Sequence, residues 1–357
     1  MRIGILTFHR ADNYGAVLQS FALQETLRRK GHEVRVIDYR QPWIEEFYRW
    51  FSLRMFRRDG IPYLKKNLKK FLLAPCRRRN FAAFRRDWLQ LTEPCTSASI
   101  PQDFDCYVIG SDQLWSLHCL GGEADKVYMG DFPHPKDAKV IGYAISADMK
   151  SVKAIGADVL KTCCPRFDAL SMREAEVALE VQRMSGMHCD VCLDPTLLTD
   201  ASVWEPVVDH RWKKRKYVLI YEVRWRKDTK GLLRRKAEEA AARIGGGCEV
   251  IDLSRMNYSV QDFVSLFRYA SHVVTTSFHG VVFSILFGTP FHALPLWDGY
   301  DLRYRELLQS LGAEDRIMGP DDEIVPGPMD FNAVWARLQD RRKYSYDFID
   351  MNIGYGK

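Results

Sequence analysis

Three things are scarce in this chain of 357 residues: long apolar runs, ordered cysteine spacing and, in one stretch, acidic residues. The longest apolar run beyond the first ten residues, Val281 to Phe287, falls far short of the roughly 20 residues that a membrane-spanning helix needs. At the start, Ile3 to Phe8 gives way at once to His9, Arg10 and Asp12, which is not the pattern of a secretory leader. The expected location is the cytoplasm. Nine cysteines, at positions 76, 95, 106, 119, 163, 164, 189, 192 and 248, form no disulfide framework for a chain this long, and reduced thiols fit best. Cys189 and Cys192 make a lone C-x-x-C, but it sits in the alternating run Met187 to Leu193, where a half-buried strand uses cysteine as a small apolar residue. No metal is expected.

From Arg49 to Arg86 there are thirteen Lys or Arg against the single acid Asp59, so this stretch carries +12 and the rest of the chain, given a total of +6, carries −6. Trp50, Phe51, Phe56, Tyr63, Phe71, Phe81 and Phe84 are interleaved with the cations. A helical hairpin meeting anionic lipid headgroups or a phosphorylated substrate fits this mixture. Nucleic acid is a second reading, and a solvated helical face a third.

What the chain does have is repeated strand–loop–helix grammar over a length that favours two domains. Arg2 to Phe8 reads as a strand, His9 to Gly15 as a turn, and Ala16, Val17, Ser20, Phe21, Leu23 and Leu27 lie on one helical arc. Gly31 ends that helix and Val34 to Ile37 is the next strand, so the opening is a βαβ unit and the sheet is parallel. Further strands are expected at Tyr107 to Ile109 and Val140 to Ile145, then at Tyr217 to Val223, Glu249 to Leu253 and His272 to Thr276. Intervening helices are expected about Leu232 to Arg243 and Val260 to Ala270 and from Val281. The polar stretch 199–216 reads as a linker between an amino-terminal domain, 1–198, that includes a basic helical segment at 45–90, and a carboxy-terminal domain, 217–357.

Four stretches end a strand in residues suited to chemistry. In Thr275-Thr-Ser-Phe-His-Gly280, His279 falls at a helix start, where free N–H groups and the helix dipole attract phosphate or carboxylate. A bound anion favours the imidazolium, so the histidine gains its proton as an anionic substrate arrives, as a general acid should. Capping or packing at a strand end is the alternative. Arg173, in Ala169-Leu-Ser-Met-Arg-Glu174, offers a planar fork for carboxylate or phosphate, or else an ion pair with Asp168, Glu174 or Glu176. In Val108-Ile-Gly-Ser-Asp-Gln-Leu-Trp115, Asp112 is placed to take a proton from a sugar hydroxyl and Trp115 to stack on a sugar face; helix capping is the alternative for Asp112. In Asn13-Tyr-Gly-Ala16, Gly15 lets backbone approach a ligand at a helix start, with Asn13 and Tyr14 beside it. This is not a G-x-G-x-x-G fingerprint.

Together these stretches resemble the polysaccharide pyruvyl transferase family, over nearly the whole chain: N-Y-G-A-x-L-Q from Asn13, G-S-D-Q-x-W at 110–115, S-x-R-E at 171–174, D-P-T at 194–196, S-F-H-G at 277–280 and F-G-T-P-F at 287–291. The resemblance implies an α/β protein of two Rossmann-like domains with parallel sheets facing a cleft, similar to GT-B glycosyltransferases. It implies phosphoenolpyruvate as donor, catalysis by His279, and cleft arginines that hold the donor. A sugar or lipid-linked oligosaccharide is the expected acceptor, no cofactor is expected, and Asp112 is assigned, from its place after a strand, as the acceptor base. Arg173, Ser277, Gly280, Asn13 and Gly15 then belong to the donor site, and Trp115 and Tyr14 to the acceptor site. Ser277 stands where some members carry an arginine, so another cation is required, with Arg303 in Asp301-Leu-Arg-Tyr-Arg305 the choice. A nucleotide-sugar glycosyltransferase is the rival reading, with Asp103-Phe-Asp105 as a D-x-D that precedes its strand. A non-enzymatic nucleic-acid binder is the third, and leaves His279 and Arg173 without use.

Overall fold

In a computed structural model, residues 1–49, 57, 60, 75–223, 231–254, 257–296 and 301–354 are described. The chain forms two compact units, Met1–Leu198 with Ser345–Lys357, and Thr199–Tyr344.

The first unit is built on a six-stranded parallel sheet: β1 (Arg2–Leu6), β2 (Glu33–Val36), β3 (Cys106–Asp112), β4 (Lys139–Ile145), β5 (Ala169–Met172) and β6 (Asp190–Val191), in the order β2-β1-β3-β4-β5-β6. Central strands such as β3, buried at every residue, are near-continuously apolar because helices cover both faces of a parallel sheet. The helix Tyr14–Arg29 follows β1; the Asn13 side chain accepts from the amide of Ala16, and Gly31, at φ 85°, takes the left-handed turn that ends the helix. The alternating run Met187 to Leu193 yields only the short β6, with Cys189 and Cys192 buried.

The second unit carries a four-stranded parallel sheet: β7 (Tyr217–Tyr221), β8 (Glu249–Asp252), β9 (His272–Thr275) and β10 (Phe291–Ala293), in the order β10-β9-β7-β8. The crossover helices are Leu232–Ile244, Val260–Tyr269 and Phe278–Phe287. The second of them opens with a capping box between Ser259 and Asp262.

Two expected boundaries need correction. Residues 199–216 are not a free linker: Trp204, fully buried with its ring 5.0 Å from that of Phe283, and Trp212, buried with Nε1 donating to Asp262, fix the stretch in the second unit. Residues 345–357 belong to the first unit, because the last helix, Asn332–Asn352, brings Phe348, Ile349 and Ile353 into burial there and pairs Asp350 with Lys30. Among the described residues no helix is long and apolar enough to cross a membrane. Most of the basic stretch, Lys65, Lys66, Lys69 and Lys70 included, lies outside the described residues.

Candidate functional site

In an open parallel sheet, ligands collect at the carboxyl edge, where successive strands depart to opposite sides and leave a crevice. In the first unit that point lies between β1 and β3. The loops leaving the two strands are stitched together: Thr7 Oγ1 donates to the Ser111 carbonyl at 2.9 Å, and Gln19 Nε2 donates to Thr7 Oγ1 at 2.8 Å, all buried. Gly110 permits the close pairing of β3 with β4, since a Cβ there would sit 1.9 Å from the Tyr143 carbonyl oxygen. Asp112 ends β3 at φ 82°, a left-handed conformation that an Asp tolerates better than most residues. Its carboxylate accepts from the Gln113 amide at 2.8 Å.

A buried polar cluster that the sequence reading overlooked underlies the β1 loop. His9 is fully buried, with Nδ1 3.1 Å from the Thr7 carbonyl and Nε2 3.0 Å from Asp38. Burial lowers the pKa of His9, against the pull of Asp38. Burial works to raise Asp38, but hydrogen bonds and charge from His9 and Arg40 outweigh it and hold the carboxyl at about 2. Asp12 pairs with buried Arg85 at 2.9 Å, and Arg77 donates to the Asp12 carbonyl through Nε at 3.1 Å and Nη2 at 2.6 Å. The described end of the basic stretch, residues 75–88, is thus helical and held against this loop by Arg77 and Arg85.

The two residues expected to hold a sugar do something else. Trp115 is fully buried, donating to the Tyr128 carbonyl at 2.9 Å and packing on Phe167, because the chain doubles back after Asp112 and carries the ring into the core. Tyr14 is 4% exposed, its ring 5.0 Å from Phe81. Gly15 lies in the first helical turn and is not a left-handed position.

Arg173 follows β5 and is enclosed rather than at the surface. Its Nη1 lies 2.5 Å from Asp194 and its Nε 3.3 Å from Glu174, both buried. Asp194 also accepts from Thr196, and Glu174 from Ser146 at 2.7 Å. The S-x-R-E and D-P-T stretches therefore form one charge network at the carboxyl ends of β4 to β6. Burial would lower the pKa of Arg173; Glu174, Asp194 and Asp112 outweigh it and raise it.

In the second unit the corresponding point lies between β7 and β9. Thr275 Oγ1 donates to the Tyr221 carbonyl at 2.7 Å and accepts from the Ser277 amide at 3.0 Å, while Thr276 and Val223 bond across the same gap. The helix Phe278–Phe287 starts there with Ser277 as its N-cap residue, although the Ser277 side chain makes no capping bond. Gly280 is required: a Cβ would lie 2.2 Å from Thr275 Oγ1. His279, partly exposed, is in the first turn of this helix with its ring 5.2 Å from Phe278. Arg303, also partly exposed, is in the first turn of the helix Leu302–Leu311, which packs on Phe278–Phe287.

Asp103-Phe-Asp105 lies at the opposite, amino edge, where Asp105 accepts from the Arg2 amide at 2.7 Å just before β3 begins. That position removes the support it lent to a metal-dependent glycosyltransferase.

A family model described as polysaccharide pyruvyl transferase matches residues 13–298. No curated protein matches the chain. Similar solved structures include UGT89C1 of Arabidopsis thaliana (10% identity, 98% of this chain and 95% of that chain, TM-score 0.42). MnaA of S. aureus, solved with UDP, is 10% identical over 100% of this chain and 92% of that chain, with a TM-score of 0.43. The E. coli heptosyltransferase WaaC, solved with ADP, is 10% identical over 96% of this chain and 100% of that chain, with a TM-score of 0.38. TM-scores below 0.5 leave these as likenesses without further weight.

Proposed function

The chain belongs to the polysaccharide pyruvyl transferase family, and from that premise we propose that it transfers the enolpyruvyl unit of phosphoenolpyruvate to a sugar acceptor, closes a pyruvate ketal and releases phosphate. The observation that carries this reading is His279 in the first turn of the helix Phe278–Phe287, at the strand-order reversal of the second unit. The positive end of the helix dipole there suits an anionic donor, and a bound phosphate favours the imidazolium.

His279 protonates the methylene carbon of the donor, which becomes a methyl group. One sugar hydroxyl adds to the neighbouring carbon, phosphate leaves with the C–O electrons, and a second hydroxyl of the sugar adds to close the ketal. The amides about Gly280 stabilise the departing phosphate. Arg303 is assigned to the donor carboxylate in place of the arginine that Ser277 lacks. In the first unit, Asp112 is assigned as the base that takes the hydroxyl proton. Arg173, already bonded to Asp194 and Glu174, acts as a positioning residue for that loop edge. A lipid-linked oligosaccharide acceptor would give the basic aromatic stretch a role at an anionic membrane surface.

The test is phosphate release from phosphoenolpyruvate in the presence of a panel of glycan acceptors. His279→Ala should lower the rate about 100-fold or more, the scale of a positioned general acid. Undiminished turnover by that variant would remove His279 from the mechanism.

A further inference from the structure

Beside Asp112, the loop that leaves β3 holds a second constellation that pyruvyl transfer does not use. Cys119 Sγ lies 3.2 Å from His118 Nε2, and His118 Nδ1 lies 3.3 Å from Asp148 Oδ2. Asp148 is fixed in turn as the cap of the helix Met149–Ile155: its Oδ1 accepts from the Ser151 amide at 2.9 Å and its Oδ2 from the Ser151 hydroxyl at 2.6 Å. Ser151 Oγ accepts from the Leu117 amide at 2.9 Å, which ties the loop to that helix. Nucleophile, base and orienting carboxylate thus stand in series within reach of one another, the arrangement by which an imidazole takes a thiol proton and keeps it. They form a relay and do not converge on a point; among the described residues no three His, Cys, Asp or Glu side chains are grouped to hold a metal ion. Cys119 is partly exposed and the His118 side chain is 43% exposed, so solvent reaches the pair. Among the described residues, Tyr48 also feels Cys119, together with Arg77, Asp12 and Asp112. Gln113 Oε1, 3.5 Å from Cys119 Sγ, is a neutral acceptor.

We propose that Cys119, His118 and Asp148 form an activated thiol site whose substrate is a hydroperoxide. Acyl transfer would also need donors placed for a tetrahedral oxyanion. Reduction of a peroxide needs only a thiolate and a proton for the leaving oxygen, which a thiol beside an imidazole is placed to supply. The Cys119 thiolate attacks the terminal peroxide oxygen; the S–O bond forms as the O–O bond breaks. The departing alkoxide takes the proton that His118 received from the thiol and leaves as the alcohol, or as water when the substrate is hydrogen peroxide. Sulfur loses two electrons, the peroxide gains them, and Cys119 is left as a sulfenic acid.

The test uses the whole protein, with labelling located by peptide mass spectrometry. An ordinary thiol is only a few per cent thiolate at pH 7, and the lower nucleophilicity of a low-pKa thiolate offsets part of the gain. His118→Ala should therefore slow iodoacetamide labelling of Cys119 at pH 7 about tenfold. It should also make the rate fall tenfold per pH unit below pH 7, where the unaltered protein holds its rate. Asp148→Asn, which keeps the capping acceptor, should slow labelling by less. Hydrogen peroxide followed by dimedone should tag Cys119 in the unaltered protein and not in His118→Ala at the same exposure. Labelling of Cys119 that is indifferent to His118→Ala, or rapid alkylation without a dimedone adduct, would overturn the proposal.

Discussion

At the scale of single residues, histidines placed alike in sequence have opposite uses. His279 sits half-buried at a helix start. His272 and His292 are buried on β9 and β10, Nε2 of one 2.9 Å from Nδ1 of the other. Burial pushes their pKa values down to about 3 and about 4, against an ordinary value near 6.5. Between those limits the unfolded chain binds more protons than the folded one, so stability rises with pH. The contribution is complete above pH 6.5 and is lost as pH falls toward 4, a loss on the order of a few kcal/mol. Urea midpoints measured from pH 7 to pH 4 should fall less steeply for His292→Gln, which keeps an acceptor for His272 with one fewer titrating ring. An unchanged slope would show that the pair contributes nothing to acid sensitivity.

At the scale of elements, most of the strand–helix order was legible because parallel strands buried on both faces are written as short apolar runs closed by polar residues. That rule put Arg173, Asp112 and His279 at strand ends. It also held the signal for what was overlooked: His9 follows β1 and Asp38 follows β2 just as directly, and only their contact, across 29 positions, marks them as a pair. Trp115 and Tyr14 were misread because local spacing does not say whether a ring after a turn points outward or is carried under the loop. Gly280 shows how tightly a helix start is set on its strand. Alanine usually gains about 0.4–1 kcal/mol over glycine by restricting the unfolded chain. Here its Cβ would lie 2.2 Å from Thr275 Oγ1 and 2.9 Å from Thr275 Cβ, and such overpacking costs about 1–3 kcal/mol. The clash wins, so Gly280→Ala should lower the denaturation midpoint by a net loss of that order or slightly less. A stabilised variant would mean that the helix is free to move off β9.

At the scale of the whole molecule, two units each bring a strand-order reversal and a helix start to the carboxyl edge of a parallel sheet, and the family accounts for residues 13–298 of the chain. The division itself was only partly legible, because nothing local in residues 345–357 says that Phe348 and Ile349 pack with residues some 150 or more positions earlier. The central claim is that the donor is phosphoenolpyruvate and not a nucleotide sugar. Its most direct test needs no acceptor: the melting temperature of the purified protein against phosphoenolpyruvate, pyruvate and a panel of nucleotide sugars. A ligand that binds only the folded state adds about 2.7 kcal/mol at a hundredfold excess over its dissociation constant, an effect readily seen in a melt. Stabilisation by phosphoenolpyruvate that His279→Ala and Arg303→Ala diminish is the predicted result; stabilisation by a nucleotide sugar with none by phosphoenolpyruvate would contradict it.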